Sequence, residues 1–289
     1  MAQHTADQYY VPHGTKWPIV GSLGMIIMLG SAAFWVNAYA TAPWTFTVGA
    51  LILIYMMFGW FGEVIRESEA GLYNEQVDSS FRMGMLWFIF SEVMFFAAFF
   101  GALFYTRNMS VPWLGGDSNN FFTNLILWEG YEATWPTNGP GEVGGEFEVM
   151  GPFGLPLINT AILLTSSVTV TIAHHALIAG KRGILTGFLA LTFILGFIFV
   201  CLQAYEYIHA YEELNLKLTT GIYGSTFFML TGFHGMHVTI GAIMLLIIWL
   251  RVVKGHFTAT NHFAFEAVAW YWHFVDVVWI GLYVFVYWM

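Results

Sequence analysis

The sequence predicts an all-α transmembrane protein, a seven-helix bundle, and three observations carry that prediction. Of 289 residues, 58% are apolar and only 9% are charged, whereas an ordinary soluble domain is about a quarter charged and under half apolar. The apolar residues gather into seven continuous runs, each near the roughly 20 residues that a helix needs to cross a hydrocarbon core of about 30 Å. The runs do not alternate; strands of a membrane barrel would be half as long and would alternate. The same composition excludes a soluble enzyme and a disordered chain. A formal net charge of -9 argues against a nucleic-acid partner, which calls for a basic surface.

In chain order, residues 1–16 form a polar segment with His4, Asp7 and His13. It lacks the basic start and cleavage site of a secretory signal peptide, so the first apolar span is expected to stay in the mature chain. The first two spans, 18–38 and 44–65, are plain apolar runs. The third, 83–105, carries Glu92. The fourth, 155–176, is studded with Asn159, Thr160, Thr165, Ser166, Ser167, Thr169 and Thr171. That composition suits a helix surrounded by helices, because hydroxyls bond their own backbone and small side chains allow close approach. The fifth span covers 184–205. The sixth, 223–249, has glycines at 224, 232, 235 and 241 that read as packing positions. The seventh, 263–288, contains the Trp-Tyr-Trp run at 270–272 and Tyr287–Trp288, which are expected at the headgroup level. Between the third and fourth spans, residues 106–154 make a long loop rich in Gly, Pro and acids, with a short surface helix predicted over 119–131.

Seven spans sort the cations by side. With the N-terminus on one side, that side receives Lys16, Arg66, Arg82, Lys181, Arg182, Arg251 and Lys254, and the other only Arg107 and Lys217. This bias predicts a cytoplasmic (or matrix-side) N-terminus and an outside C-terminus, in a bacterial or mitochondrial inner membrane. The single cysteine, Cys201, excludes an intrachain disulfide and any cysteine-held cluster.

An ionisable side chain at bilayer depth is costly and is a functional candidate. Glu92 has no basic residue within one turn, so it is expected to be protonated or bonded to another helix. It either pins helices together or marks a proton- or lipid-linked site. His234 and His237 stand three apart and share a helix face, as Glu206 and His209 do. Glu266, His273 and Asp276 fall close to one face of the last span. His174–His175 sit at the inner end of the fourth. A diiron bundle would want Glu-x-x-His on two helices, and only Glu206–His209 fits. Haem ligation would need a well-placed intramembrane histidine, which His234, His237 or His273 could supply. Residues alone leave structural hydrogen bonds and ligation both open. At the inner ends of the second and sixth spans, Arg66 with Glu67, and Arg251 with Lys254 and His256, would meet lipid phosphates.

Several segments together resemble subunit III of the cytochrome c oxidases, in the haem–copper oxidase superfamily. They are EVIRES (63–68), SEVMFF (91–96), AHHAL (173–177), LQAYEY (202–207), GIYGSTFFMLTGFHGMHV (221–238), NHFAFEAVAWYWHFVDVVW (261–279) and YW (287–288). The N-terminal region and the 106–154 loop carry little of the match. The resemblance implies two groups of helices, I–II (17–66) and III–VII (81–289), splayed as a V whose cleft holds phospholipid. It places the intramembrane carboxylate at Glu92. Lipid contacts fall at Trp60, Arg66, Glu67, Arg251, Lys254 and His256, where a phosphate would gain charge-assisted bonds from Arg66 and Arg251.

The resemblance further implies that the chain holds no metal, with haem and copper residing in partner subunits I and II. His234, His237, Glu266, His273, Asp276, Glu206 and His209 are then a structural or proton-linked polar network. The expected role is a non-redox subunit of a proton-pumping oxidoreductase, fed by cytochrome c. It would stabilise the catalytic subunit, bind structural phospholipid and support proton uptake, with His4, Asp7 and His13 adding protonatable surface. Two alternatives stand beside it: the third subunit of a quinol-oxidising relative, and an independent membrane metalloenzyme with a histidine–carboxylate site.

Overall fold

The computed structural model describes residues 10–11 and 14–288; His4, Asp7 and His13 lie outside them. The helices are α1 (Trp17–Val36), α2 (Ala42–Glu69), α3 (Glu75–Tyr105), α4 (Val111–Leu114), α5 (Phe121–Leu127), α6 (Leu155–Ile178), α7 (Arg182–Glu212), α8 (Gly221–Val253) and α9 (Phe263–Leu282). A π-helical turn, Thr106–Ser110, joins α3 to α4, and another, Tyr283–Trp288, extends α9. Among the described residues there is no strand, and seven helices are long and apolar enough to cross a membrane.

All seven predicted spans are present, and several run past their predicted ends. Helix α3 begins at Glu75 rather than at 83, α7 reaches Glu212 and α8 reaches Val253. Hydropathy stops at the first charges, whereas a helix stops where its backbone bonding stops. The first turns of α3 are charged and still helical, with Arg82 Nε 2.7 Å from Asp78 Oδ2 one turn away. Prolines in the first turn start α1, α2 and α6, where a missing N–H costs nothing. At the other end, Gly180 and Gly255 adopt positive φ after α6 and α8. The following N–H groups turn back to the carbonyls of Ala176 and Arg251, the closing motif that favours glycine.

The chain forms two compact units that divide between Met83 and Gly84. In the first, α1 packs along α2. The approach is close: a Cβ on Gly49 would lie 2.6 Å from the backbone nitrogen of Met28, the small-residue contact that membrane helices use. The outward side chains, among them Leu23, Ile26, Leu51 and Phe58, are exposed.

In the second unit, α6 packs on α7 and α9, and α8 packs on α7 and α9. The ring of Trp272 is fully buried, and Cβ atoms on Gly196 of α7 and Gly241 of α8 would lie 2.6 and 2.8 Å from it. Its Nε1 donates to Ser166 Oγ at 2.9 Å, and Trp279 Nε1 donates to Thr160 Oγ1 at 2.9 Å. These bonds correct the expected headgroup placement of the aromatic run at 270–272. Trp272 and Tyr271 are core residues, because α6 supplies the acceptor that a buried indole N–H needs. Tyr287 is buried too, and of the final pair only Trp288 is exposed.

The hydroxyls of α6 bond their own backbone as expected, but helices do not surround α6: Leu164, Thr165, Val168 and Thr171 are exposed. Thr160, Thr165 and Thr171 donate to backbone carbonyls one turn back, and Thr169 meets Thr192 of α7 at 2.9 Å. Helix α3 joins this unit through aromatic contacts: Phe88 stacks on Tyr271, Phe95 meets Phe233, and Phe96 meets Phe274. In the loop, the predicted surface helix is shorter than 119–131, covering Phe121–Leu127. Residues beyond it are irregular but tied down, with Asn215 Nδ2 donating to the carbonyls of Gly144 and Glu146.

Candidate functional site

Glu92, midway along α3, finds its partner on α8. His237 Nε2 and Glu92 Oε2 are 2.9 Å apart, with the side chains 7% and 22% exposed. The other ring nitrogen, His237 Nδ1, lies 2.6 Å from the carbonyl oxygen of Phe233. A carbonyl only accepts, so Nδ1 carries a hydrogen. The Nε2–Oε2 bond therefore holds one proton, either on the carboxyl facing a neutral imidazole or on an imidazolium facing a carboxylate. In both arrangements the pair is neutral overall, which makes it tolerable at bilayer depth. Phe95 and Phe96 crowd the imidazole, and Tyr271 stacks beside it.

His234 shares the sequence spacing of His237 but not its environment. It is fully buried, its Nε2 meets the carbonyl oxygen of Val275 at 3.2 Å, and its ring tilts against Trp279. One histidine thus faces α3 and the other α9. His273 Nδ1 lies 2.7 Å from Ser167 Oγ on α6 and 3.9 Å from Asp276 Oδ2.

Glu206 and His209 do not pair, contrary to their spacing. Glu206 is fully buried and accepts from Tyr287 Oη at 2.6 Å, while His209 Nδ1 sits 3.1 Å from Glu213 Oε2. Helix rotation decides the outcome: Glu206 points into the core and His209 toward the next exposed turn. Glu266 also separates from His273 and Asp276. It lies in the first turn of α9, 4.0 Å from His262 Nε2, and groups with His262 and His174 of α6.

The residues expected at the inner helix ends fall in both units. In the first, a groove along α2 is lined by Met56, Met57, Trp60, Phe61 and Val64. A polar hollow lined by Lys16, Trp17, Glu63 and Arg66 lies further along the same helix. Glu63 Oε2 accepts from Trp17 Nε1 at 2.6 Å and from Thr15 Oγ1 at 3.2 Å. Glu67 accepts from Tyr10 Oη at 3.0 Å through Oε1 and from Tyr73 Oη at 2.7 Å through Oε2. Both phenols are pushed above the ordinary tyrosine value, first by burial and then by the bond to Glu67. Glu67 is thus a fastening point for the segments before α1 and after α2, while Arg66 and Trp60 are exposed.

In the second unit, Arg251 is buried, with its guanidinium 4.5 Å from the centre of the Phe257 ring. Lys254 is exposed and His256 half-buried. Arg182, which the spacing did not single out, donates to the carbonyls of Val252 and Phe257 and holds the turn that carries all three. His262 was also missed, although its i, i+4 spacing to Glu266 at a helix start was a usable signal. Tyr287 as the partner of Glu206 had none, since the two lie 81 residues apart.

A family model described as cytochrome c oxidase subunit III matches residues 7–289. Cytochrome c oxidase subunit 3 of Carassius auratus is 41% identical over 286 residues, covering 99% of this chain and 98% of the relative. The proteins of the same name from Danio rerio and Gadus morhua are 41% and 39% identical over the same shares.

Proposed function

The chain belongs to the cytochrome c oxidase subunit III family, and from that premise we propose that it serves as the non-redox third subunit of a proton-pumping oxidase. In this reading it packs against the catalytic subunit I, neighbours subunit II, and leaves haem, copper and the oxidation of cytochrome c to them. Its N-terminus faces the cytoplasm or matrix and its C-terminus the outside. The observation that carries the reading is how the intramembrane histidines are spent. His237 uses both ring nitrogens, on Glu92 and on the Phe233 carbonyl. His234 bonds a backbone carbonyl and His273 a serine hydroxyl. Such an arrangement fastens helices and holds protons; it does not present paired imidazoles to a haem.

Phospholipid is the chain's own ligand in this reading. The groove at Trp60 suits acyl chains, and Arg66 beside Lys16 suits a phosphate through charge-assisted bonds. Arg251, Lys254 and His256 form a second basic end. Support for proton uptake belongs to the same proposal, with Glu92–His237 as the pair able to hold or release a proton.

Removing the chain from the assembled oxidase tests the proposal. The remaining complex should keep its full haem and copper content and its initial turnover, lose phospholipid, and inactivate faster while turning over. The double substitution Arg66→Ala with Arg251→Ala should reproduce the lipid loss. Haem or copper leaving in proportion to the removed chain would overturn the non-redox reading, and a full lipid complement in the double variant would overturn the lipid one.

A further inference from the structure

Two histidines and a glutamate converge where α6 ends and α9 begins, and none of the roles above uses them together. His174 lies just before the last turn of α6, His262 holds the N-cap position of α9 and Glu266 lies in its first turn. Each offers one donor atom, and the three donors lie within 4.8 Å of one another. All three side chains are half-buried.

The details around them are those of a ligand set. His262 Nδ1 lies 3.1 Å from the carbonyl oxygen of Thr258. A carbonyl only accepts, so Nδ1 carries a hydrogen, and Nε2, the ring atom left to act as a ligand, faces Glu266 Oε2 at 4.0 Å. A backbone carbonyl fixing the tautomer in this way is the usual second layer of a metal-bound histidine. The His174 ring is stacked on Phe265 and lies 5.4 Å, centre to centre, from His262. The negative end of α6 favours a cation, the positive start of α9 opposes it, and the Glu266 carboxylate tips the balance.

We propose that His174, His262 and Glu266 form a binding site for a divalent transition cation of the zinc class. Two imidazoles and one carboxylate select such an ion over magnesium or calcium, which prefer all-oxygen shells. Three protein donors leave the fourth tetrahedral position to water. In that shell the donors stand about 3.3 Å apart, so side-chain rotation suffices to close the present spacing. The ion would tie the ends of two helices that belong to the same unit. It is redox-inert, and the site stands whether or not the non-redox reading above is correct.

Histidine modification of the intact, unmutated oxidase tests the site without relying on a variant that must fold. Diethylpyrocarbonate labelling is mapped by mass spectrometry across a zinc titration. His174 and His262 should become protected together, at one half-saturating concentration, while exposed His175 keeps reacting. Protection of neither, or of His175 to the same degree, overturns the proposal. Glu266→Gln then keeps the shape and removes the charge. It should raise the half-saturating zinc concentration by about tenfold or more, since even outer-layer changes cost about 10–100-fold. An unchanged titration in that variant also overturns it.

Discussion

The two units of this chain are both membrane-apolar and are packed by opposite logic. The span of lowest hydropathy, Phe263–Trp288, is the most buried, with half of its most apolar window hidden. The more apolar Ala42–Glu69 hides 6%. Between soluble helices this would be paradoxical. In a bilayer, apolar side chains gain little by leaving lipid, so what draws a helix inward is its polar groups and its close-fitting surfaces. The second unit accordingly buries Glu206, Asp276, His234 and the two indole N–H groups. The first gathers the bonds that Glu63 and Glu67 accept from neighbouring segments at one end and leaves its helix faces to the surroundings.

The contrast is sharpest at Trp272. Removing its ring leaves a cavity among α6, α7 and α8 and takes the indole donor from Ser166 Oγ, which keeps only its own bond to the Leu163 carbonyl. Trp272→Ala should cost about 3–5 kcal/mol, read as a large drop in the melting temperature of the detergent-solubilised oxidase. Leu51→Ala, on the exposed face of α2, serves as the counterpart and should stay within about 0.5 kcal/mol. Equal effects from the two would mean that the units are not packed by different rules.

Tyr287→Phe probes the buried polar contacts without opening a cavity. It removes the hydroxyl that donates to Glu206 Oε1 and leaves a buried acceptor unmet, at a cost of about 1–3 kcal/mol. Trp17→Phe is the matching change in the first unit, deleting the donor to Glu63 Oε2. That contact lies at a helix end where water can replace it, and hydrogen bonds between membrane helices average about 0.6 kcal/mol. Melting of both variants orders them; a Trp17 effect as large as the Tyr287 effect would break the comparison.

The same physics explains what could be read from the sequence. Seven spans were legible because length and continuous apolarity are local properties. The role of α6 was legible in part: its hydroxyls bond their own backbone, yet Leu164, Thr165, Val168 and Thr171 stay exposed, so helices cover one side of it and do not surround it. Glu92 announced a need for a partner, and His237 on a distant helix met it. Illegible were the matters that helix rotation decides. The aromatic run at 270–272 had the composition of an interfacial belt, yet its indole N–H found Ser166 and went inside. Glu206 and His209 had the spacing of a pair, yet turned to Tyr287 and Glu213. Spacing tells which side chains share a face, and only packing tells what that face meets.

The smallest expected effect lies at Glu67, and it carries a pH signature. Tyr73 donates to Glu67 Oε2, and folding raises its phenol above the ordinary value, by burial first and by that bond second. The folded chain therefore holds this proton more tightly than the unfolded one. A raised value of this kind contributes stability in full below the unfolded value of about 10. The contribution fades as pH climbs from there through the folded value, because the unfolded state then binds fewer protons than the native one. Tyr73→Phe removes the titrating group and keeps the ring against Phe81. Near neutral pH the variant should melt slightly below the parent, since Tyr10 still serves the other oxygen of Glu67. Above about pH 10 its melting temperature should fall less steeply than the parent's. Parallel alkaline limbs would mean that the phenol is not held by Glu67, and this end of the first unit would then lack the fastening that distinguishes it from its own exposed helix faces.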